Sequence, residues 1–160
     1  MRIGLFPGAG SEGLRLRELI ERRGHEVEVV ASQPDHIVFD DLVEDAKGAI
    51  RSMKVDALVG ASEGAAIAIH QPLRLPTLLI GTDHAPWMPQ QTLPHPHFYL
   101  FHSDDDRLVP VEQIEELLQR SALDPVKHLT QIPSDVHPYD AESEEFHIAL
   151  DKWLEWAEHV

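Results

Sequence analysis

The 160-residue chain has no cysteine. That removes disulfides, thiolate nucleophiles and thiolate metal sites together, and it fits a reducing compartment. No apolar run approaches the roughly 20 residues of a membrane span. Basic residues are scarce: 13 Lys and Arg stand against 28 Asp and Glu, for a formal charge of −15. A surface that acidic repels phosphate backbones and anionic lipid, so no nucleic-acid partner and no membrane partner is expected, and a small molecule is. The opening Met1–Phe6 is too short, and too soon broken by Pro7, for a signal peptide; it is expected to be the first strand of a cytoplasmic protein. Internal repeats, low-complexity tracts and linkers are missing as well. Residues 1–160 are therefore expected to form one domain, long enough for a real core and too short for two. The sequence carries no signal of oligomeric state.

What is present is an alternation of short apolar runs with amphipathic stretches. The runs 3–6, 26–31, 57–60, 77–81, 98–102 and 128–132 predict strands, mostly continuous in their apolarity as in a sheet buried on both faces. Glu26-Val27-Glu28-Val29 alternates instead, which places the second strand toward an edge. Helices are predicted over 11–23 (with Leu14, Leu16, Leu19 and Ile20 as its apolar set), 39–53, 63–70, 111–119 and 141–158. The expected fold is α/β, a single mostly parallel sheet of about six strands with helices on both faces. Residues 82–97 break the rhythm with Pro86, Pro89, Pro94 and Pro96. This loop leaves the carboxyl end of a strand, where ligands bind in open α/β sheets. Its Trp87 and Met88 are candidate pocket walls, and an irregular connection without function is the alternative.

Three segments carry chemistry. Gly60-Ala61-Ser62-Glu63-Gly64 has the form G-x-S-x-G between a buried strand and a small-residue helix, the context of a nucleophile elbow; a glycine-rich anion-binding turn would read the same way. In Phe98–Pro110 an apolar strand runs into Asp104-Asp105-Asp106. Taken alone, these aspartates could cap a helix or hold a divalent cation. The third segment, Ile132–Tyr139, places His137 between the last strand and the last helix. Serine, acid and histidine thus each follow a strand at its ligand-binding end. A serine hydroxyl needs a base within hydrogen-bond reach; His137 would be that base, and an aspartate would hold its tautomer and stabilise the imidazolium. Backbone N–H groups must also meet the developing oxyanion. Glu63, directly after Ser62, and Ala9, in the glycine-flanked loop Pro7-Gly8-Ala9-Gly10, are the candidates. The latter loop does not complete G-x-G-x-x-G, which speaks against a dinucleotide cradle.

On these segments the sequence resembles the α/β-hydrolase superfamily over nearly its whole length. Gly60–Gly64 resembles the elbow. His102-Ser103-Asp104-Asp105-Asp106-Arg107-Leu108-Val109-Pro110 resembles the family's H-G-x-x-D-x-x-V-P segment, with Ser103 where the family has glycine, and Pro7–Gly10 resembles its oxyanion loop, with Pro7 in the place of histidine. The chain is similar to short, capless bacterial esterases and to the small retinoblastoma-binding-protein-like serine hydrolases. The resemblance implies a minimal hydrolase fold without a cap domain. It implies Asp106 as the acid, and cleavage of a small carboxylic ester or thioester through an acyl-serine, with no cofactor and no metal.

Rivals are visible in the same residues. Asp83, after the strand 77–81, is a second candidate acid. His84, His95, His97, His102 and His147 are other bases or metal ligands, although His95-Pro96-His97 lacks an accompanying carboxylate pattern. Trp153 and Trp156 are expected in the core or an interface. The alternative of another class is a non-catalytic protein that keeps the hydrolase fold to bind a small ligand or a protein partner.

Overall fold

The computed structural model describes residues 1–8, 10–30 and 38–160. Its strands are β1 (Arg2–Phe6), β2 (Glu26–Val29), β3 (Ala57–Ala61), β4 (Thr77–Ile80), β5 (Phe98–Ser103) and β6 (Leu129–Ile132). Its helices are α1 (Ser11–Glu21), α2 (Phe39–Ser52), α3 (Glu63–Ile69), α4 (Val111–Arg120), α5 (Pro125–His128) and α6 (Glu144–Glu158). The strands form one sheet in the order β2-β1-β3-β4-β5-β6, and every pairing is parallel. The alternating strand β2 lies at an edge, as its half-polar pattern implies.

Side chains leave a strand on alternate faces, so each buried strand feeds two cores. Ile3, Leu5, Val59, Ala61, Leu78, Ile80 and Phe101 meet α1 and α6 on one side. Phe6, Leu58, Leu79, Phe98 and Leu100 meet α2, α3 and α4 on the other. This double burial explains why the central strands read as continuous apolar runs. The hydrophobic set of α1 differs from expectation at one position: Leu14 points outward, 52% exposed, and Gly13 faces the protein instead. A Cβ on Gly13 would lie 1.9 Å from the Pro7 carbonyl oxygen, so close approach to the β1 loop sets the rotation of α1.

The strand 26–31 ends at Val29 among the described residues, and Ala31 lies outside them. The strand expected from His128 begins at Leu129, because Asp124 caps a single helical turn by accepting from Val126 N–H at 2.9 Å, and this turn takes His128 into α5. The helix expected from Ala141 begins at Glu144. There the Ser143 hydroxyl accepts the Phe146 N–H at 3.2 Å and caps the first turn. No described helix is long and apolar enough to cross a membrane.

The chain winds from β1 outward to β2, then returns across β1 to β3 and runs on to β6. The direction of winding reverses between β1 and β3. In a doubly wound sheet a cleft opens beyond the carboxyl ends of the strands at that switch. Gly8 and Ser62 follow the two strands that border it.

Candidate active site

Ser62 leaves β3 with φ 54° and ψ −122°, a conformation that costs a non-glycine residue about 1–3 kcal/mol. Neighbouring backbone holds it there. The Ser62 N–H donates to the Ile80 carbonyl at 2.9 Å, and its carbonyl accepts from Ala65 at 3.1 Å and from Asp83 at 3.2 Å. The two glycines of the motif give the turn its room. A Cβ on Gly60 would lie 2.6 Å from the Ala65 Cα, and one on Gly64 would lie 2.1 Å from the Phe6 carbonyl oxygen. The close approach is backbone on backbone, so larger residues have no space to yield into.

Ser62 occupies the N-cap position of α3, but its side chain caps nothing. Its Oγ lies 2.9 Å from His137 Nε2, and His137 Nδ1 lies 2.6 Å from Asp106 Oδ2. A carboxylate can only accept. Nδ1 therefore carries the imidazole proton, which leaves Nε2 free to accept from the serine hydroxyl. The Asp106 side chain is fully buried. Its second oxygen, Oδ1, accepts the N–H groups of Leu108 and Val109, both at 2.9 Å, so the carboxylate is fixed on both sides. Ser62 and His137 stay partly open to solvent.

The histidine loop is tied down by residues that show no such role in the sequence. The Ser103 hydroxyl donates to the Val136 carbonyl at 2.7 Å, immediately before His137. Asp104 and Asp105 donate backbone N–H groups to the carbonyls of Ile132 and Ser134, and Asp104 Oδ1 accepts the Ser134 N–H at 3.1 Å. Two residues after His137, the buried Tyr139 hydroxyl donates to the Glu12 carbonyl at 2.7 Å; burial pushes this phenol well above its usual range. Gly81, with φ +56°, lets Pro138 pack directly on the end of β4: a Cβ there would lie 2.6 Å from the Pro138 Cβ.

The other residues singled out in the sequence fall as follows. The Glu63 N–H, first in α3, has no backbone acceptor among the described residues. Ala9 lies outside the described residues, although Gly8 beside it packs against the elbow, with its would-be Cβ 3.5 Å from the Glu63 nitrogen. Asp83 is half-buried next to Ser62, and its carboxylate has no hydrogen bond or ion pair with the described residues. Trp87 stacks on Phe39 at 5.2 Å, and Phe39 meets His70 edge-on at 5.9 Å. Trp87 and Met88 are 44% and 39% exposed.

His95, His97, His102 and His147 have structural engagements, and His84 is buried. His102 is buried and donates from Nε2 to the Val109 carbonyl at 2.7 Å. His95 stacks on Phe98 at 4.4 Å, with His97 5.6 Å away. His147 donates from Nε2 to the Ala141 carbonyl at 2.7 Å. Burial lowers the pKa of His84, His95 and His102 and keeps them neutral. Trp153 lies in the core, and Trp156 packs on Tyr99 at 4.5 Å. No group of three or more His, Asp or Glu placed to hold a metal occurs among the described residues.

No protein-family model matches the chain, and no curated protein matches it in sequence. Solved structures do match in shape. A candidate YdeN-like hydrolase of Pectobacterium atrosepticum superposes with a TM-score of 0.68 at 16% identity, over 99% of this chain and 90% of its own. The ydeN gene product of B. subtilis gives 0.66 at 16% identity, over 96% of this chain and 97% of its own. A candidate hydrolase of the α/β superfamily from Xanthomonas campestris pv. campestris gives 0.60 at 17% identity, over 99% and 96%. At such identities the likeness speaks for the fold alone. That fold is the α/β-hydrolase fold in a small form, one parallel sheet between two helical layers with no cap domain among the described residues.

Proposed function

We propose that the protein is a serine hydrolase that cleaves a small carboxylic ester or thioester. The observation that carries the reading is the hydrogen-bonded chain from Ser62 Oγ through His137 to the buried Asp106 carboxylate. It supplies a nucleophile, a base in the accepting tautomer and a group that orients the base. The solved structures of like fold that are named as candidate hydrolases support the same reading.

Ser62 Oγ attacks the acyl carbonyl carbon while its proton passes to His137 Nε2. The new C–O bond creates a tetrahedral oxyanion, which the Glu63 N–H and an N–H of the β1–α1 loop, assigned to Ala9, would stabilise. Collapse breaks the bond to the alcohol or thiol, and His137 returns the proton to that leaving group. Water then attacks the acyl-serine and gives one proton to His137; collapse breaks the acyl–Oγ bond, His137 returns the proton to Ser62 Oγ, and the carboxylic acid leaves. In this reading every bond and proton is supplied by the substrate, water, Ser62 and His137. Asp106 accepts from Nδ1 throughout and faces the imidazolium when it forms.

The test is covalent labelling with a fluorophosphonate together with hydrolysis of p-nitrophenyl acetate. Wild type is expected to react in both, and Ser62→Ala in neither. A folded wild type inert in both assays would leave the binding-protein alternative in its place.

A further inference from the structure

Asp83 is an acidic residue at this site that the triad does not use. It follows β4 by three residues, and its N–H is bonded to the Ser62 carbonyl at 3.2 Å. Its backbone is thus joined to that of the nucleophile. His137 does not take the Asp83 carboxylate as partner; Nδ1 is bonded to Asp106. No lysine or arginine lies within ion-pairing distance of Asp83 among the described residues.

The local charges are unbalanced in one direction. The charged groups whose fields reach Asp83 are His137, which favours its ionised form, and Asp106, which opposes it. Glu63, on the other flank of Ser62, also lacks an ion pair among the described residues, and the chain as a whole carries −15. Partial burial raises the Asp83 carboxyl above the usual carboxylate range. A desolvated carboxylate is a cost unless a cation or donors meet it. Among the described residues the structure supplies none to the Asp83 carboxylate, and its backbone is hydrogen-bonded to that of the nucleophile.

We propose that Asp83 is a specificity-determining residue that selects substrates bearing an ammonium group, so that the site takes cationic esters or thioesters in preference to neutral or anionic ones. This rests on the serine-hydrolase reading above. A substrate cation beside Asp83 would supply the missing counter-charge close to the reacting carbonyl. An anionic acyl group would meet Asp83 and Glu63, neither of which has an ion pair among the described residues. The acidic surface would add to the effect by concentrating cations near the cleft.

The test compares permanent cations with uncharged isosteres, so that pH does not change the substrate. Acetylcholine is set against 3,3-dimethylbutyl acetate for charge on the alcohol side. Phenyl 4-(trimethylammonio)butanoate is set against phenyl 5,5-dimethylhexanoate for charge on the acyl side. In at least one pair, wild type is expected to favour the cation by about tenfold in kcat/KM, corresponding to about 1.4 kcal/mol. Asp83→Asn and Asp83→Ser should each bring that ratio toward one. Equal loss on charged and neutral members would mean that Asp83 acts on His137, and would overturn the inference. So would a wild-type ratio near one in both pairs while fluorophosphonate still labels Ser62, with the hydrolase reading intact. Failure of labelling and of all four hydrolyses would overturn both readings together.

Discussion

Asp106→Asn is the substitution whose outcome the geometry defines most narrowly. The carboxylate's two oxygens have different duties: Oδ1 accepts two backbone N–H groups, from Leu108 and Val109, and Oδ2 accepts from His137. An asparagine must decide which end faces which partner. Turning its NH2 toward Leu108 and Val109 would leave both N–H groups without their acceptor, at about 1–3 kcal/mol for the buried Val109 N–H and less for the part-buried Leu108 N–H. Its oxygen therefore stays on the backbone and its NH2 faces His137 Nδ1. Two donors cannot share that contact, so the imidazole proton moves to Nε2, where it points at Ser62 Oγ. The base becomes a donor to the group it should deprotonate. In a well-studied serine protease the same change costs about 10⁴ in turnover, or about 5.4 kcal/mol of barrier. The backbone bonds survive, so the folding cost is only the exchange of a charged hydrogen bond for a neutral one, about 1 kcal/mol. Steady-state hydrolysis of p-nitrophenyl acetate, with thermal unfolding of the same samples, should show a near-total loss of turnover in a protein that melts close to wild type. Turnover within tenfold of wild type, with Ser62→Ala inert, would refute this account of Asp106.

Three further outcomes follow from the packing. Gly81→Ala should depress turnover well beyond its effect on melting, because the new Cβ meets Pro138 and displaces the neighbouring His137; equal turnover in the folded variant would remove Gly81 from the positioning of the base. Phe146→Ala should destabilise by about 3–5 kcal/mol, since Phe146 is fully buried and stacks on Tyr139 at 4.5 Å; denaturant unfolding measures this. The third concerns acid. The folded-state pKa values of His84, His95 and His102 are lowered by burial, so the unfolded chain binds more protons, and stability present above about pH 6.5 is lost as pH falls below it, by up to about 1.4 kcal/mol per pH unit for each histidine. Thermal unfolding should therefore show a falling melting temperature between pH 7 and pH 5, and a flat profile over that window would contradict the neutral burial of these rings. The Asp83 carboxyl, raised by partial burial, has the opposite sign.

Much of the architecture was legible because it depends on properties local in the chain. Strands buried on both faces need apolar runs, and Leu78-Leu79-Ile80 or Ala57-Leu58-Val59 can be little else. The alternation of Glu26–Val29 marked an edge for the same reason. Element ends were less legible. A cap such as Ser143 outcompetes apolar periodicity that runs on to Ala141. A four-residue helix such as Pro125–His128 is too short to show a period, although Asp124-Pro125 carries its start signal. The outward turn of Leu14 could not be read from α1, because it is decided by contact between Gly13 and Pro7.

The candidate site divides along the same line. The G-x-S-x-G turn is a local device, and its glycines can be justified from the chain alone before their contacts are seen. The choice among Asp104, Asp105 and Asp106 cannot, since all three follow one strand within one turn. What separates them is pairing across the sheet end: Asp104 is spent on Ser134, Asp105 contributes its N–H to the Ser134 carbonyl, and only Asp106 turns inward to meet His137. The resemblance to H-G-x-x-D-x-x-V-P selected Asp106, but the physical reason lies in Ser103, Ser134 and Val136, which join the acid loop to the histidine loop. Ser103 is the instructive residue. It stands where the family has glycine, so it reads as a departure in the sequence, yet its hydroxyl supplies a bond to the carbonyl next to His137 that glycine could not make. A motif mismatch beside a site is therefore a reason to look for a new contact as much as for a lost one.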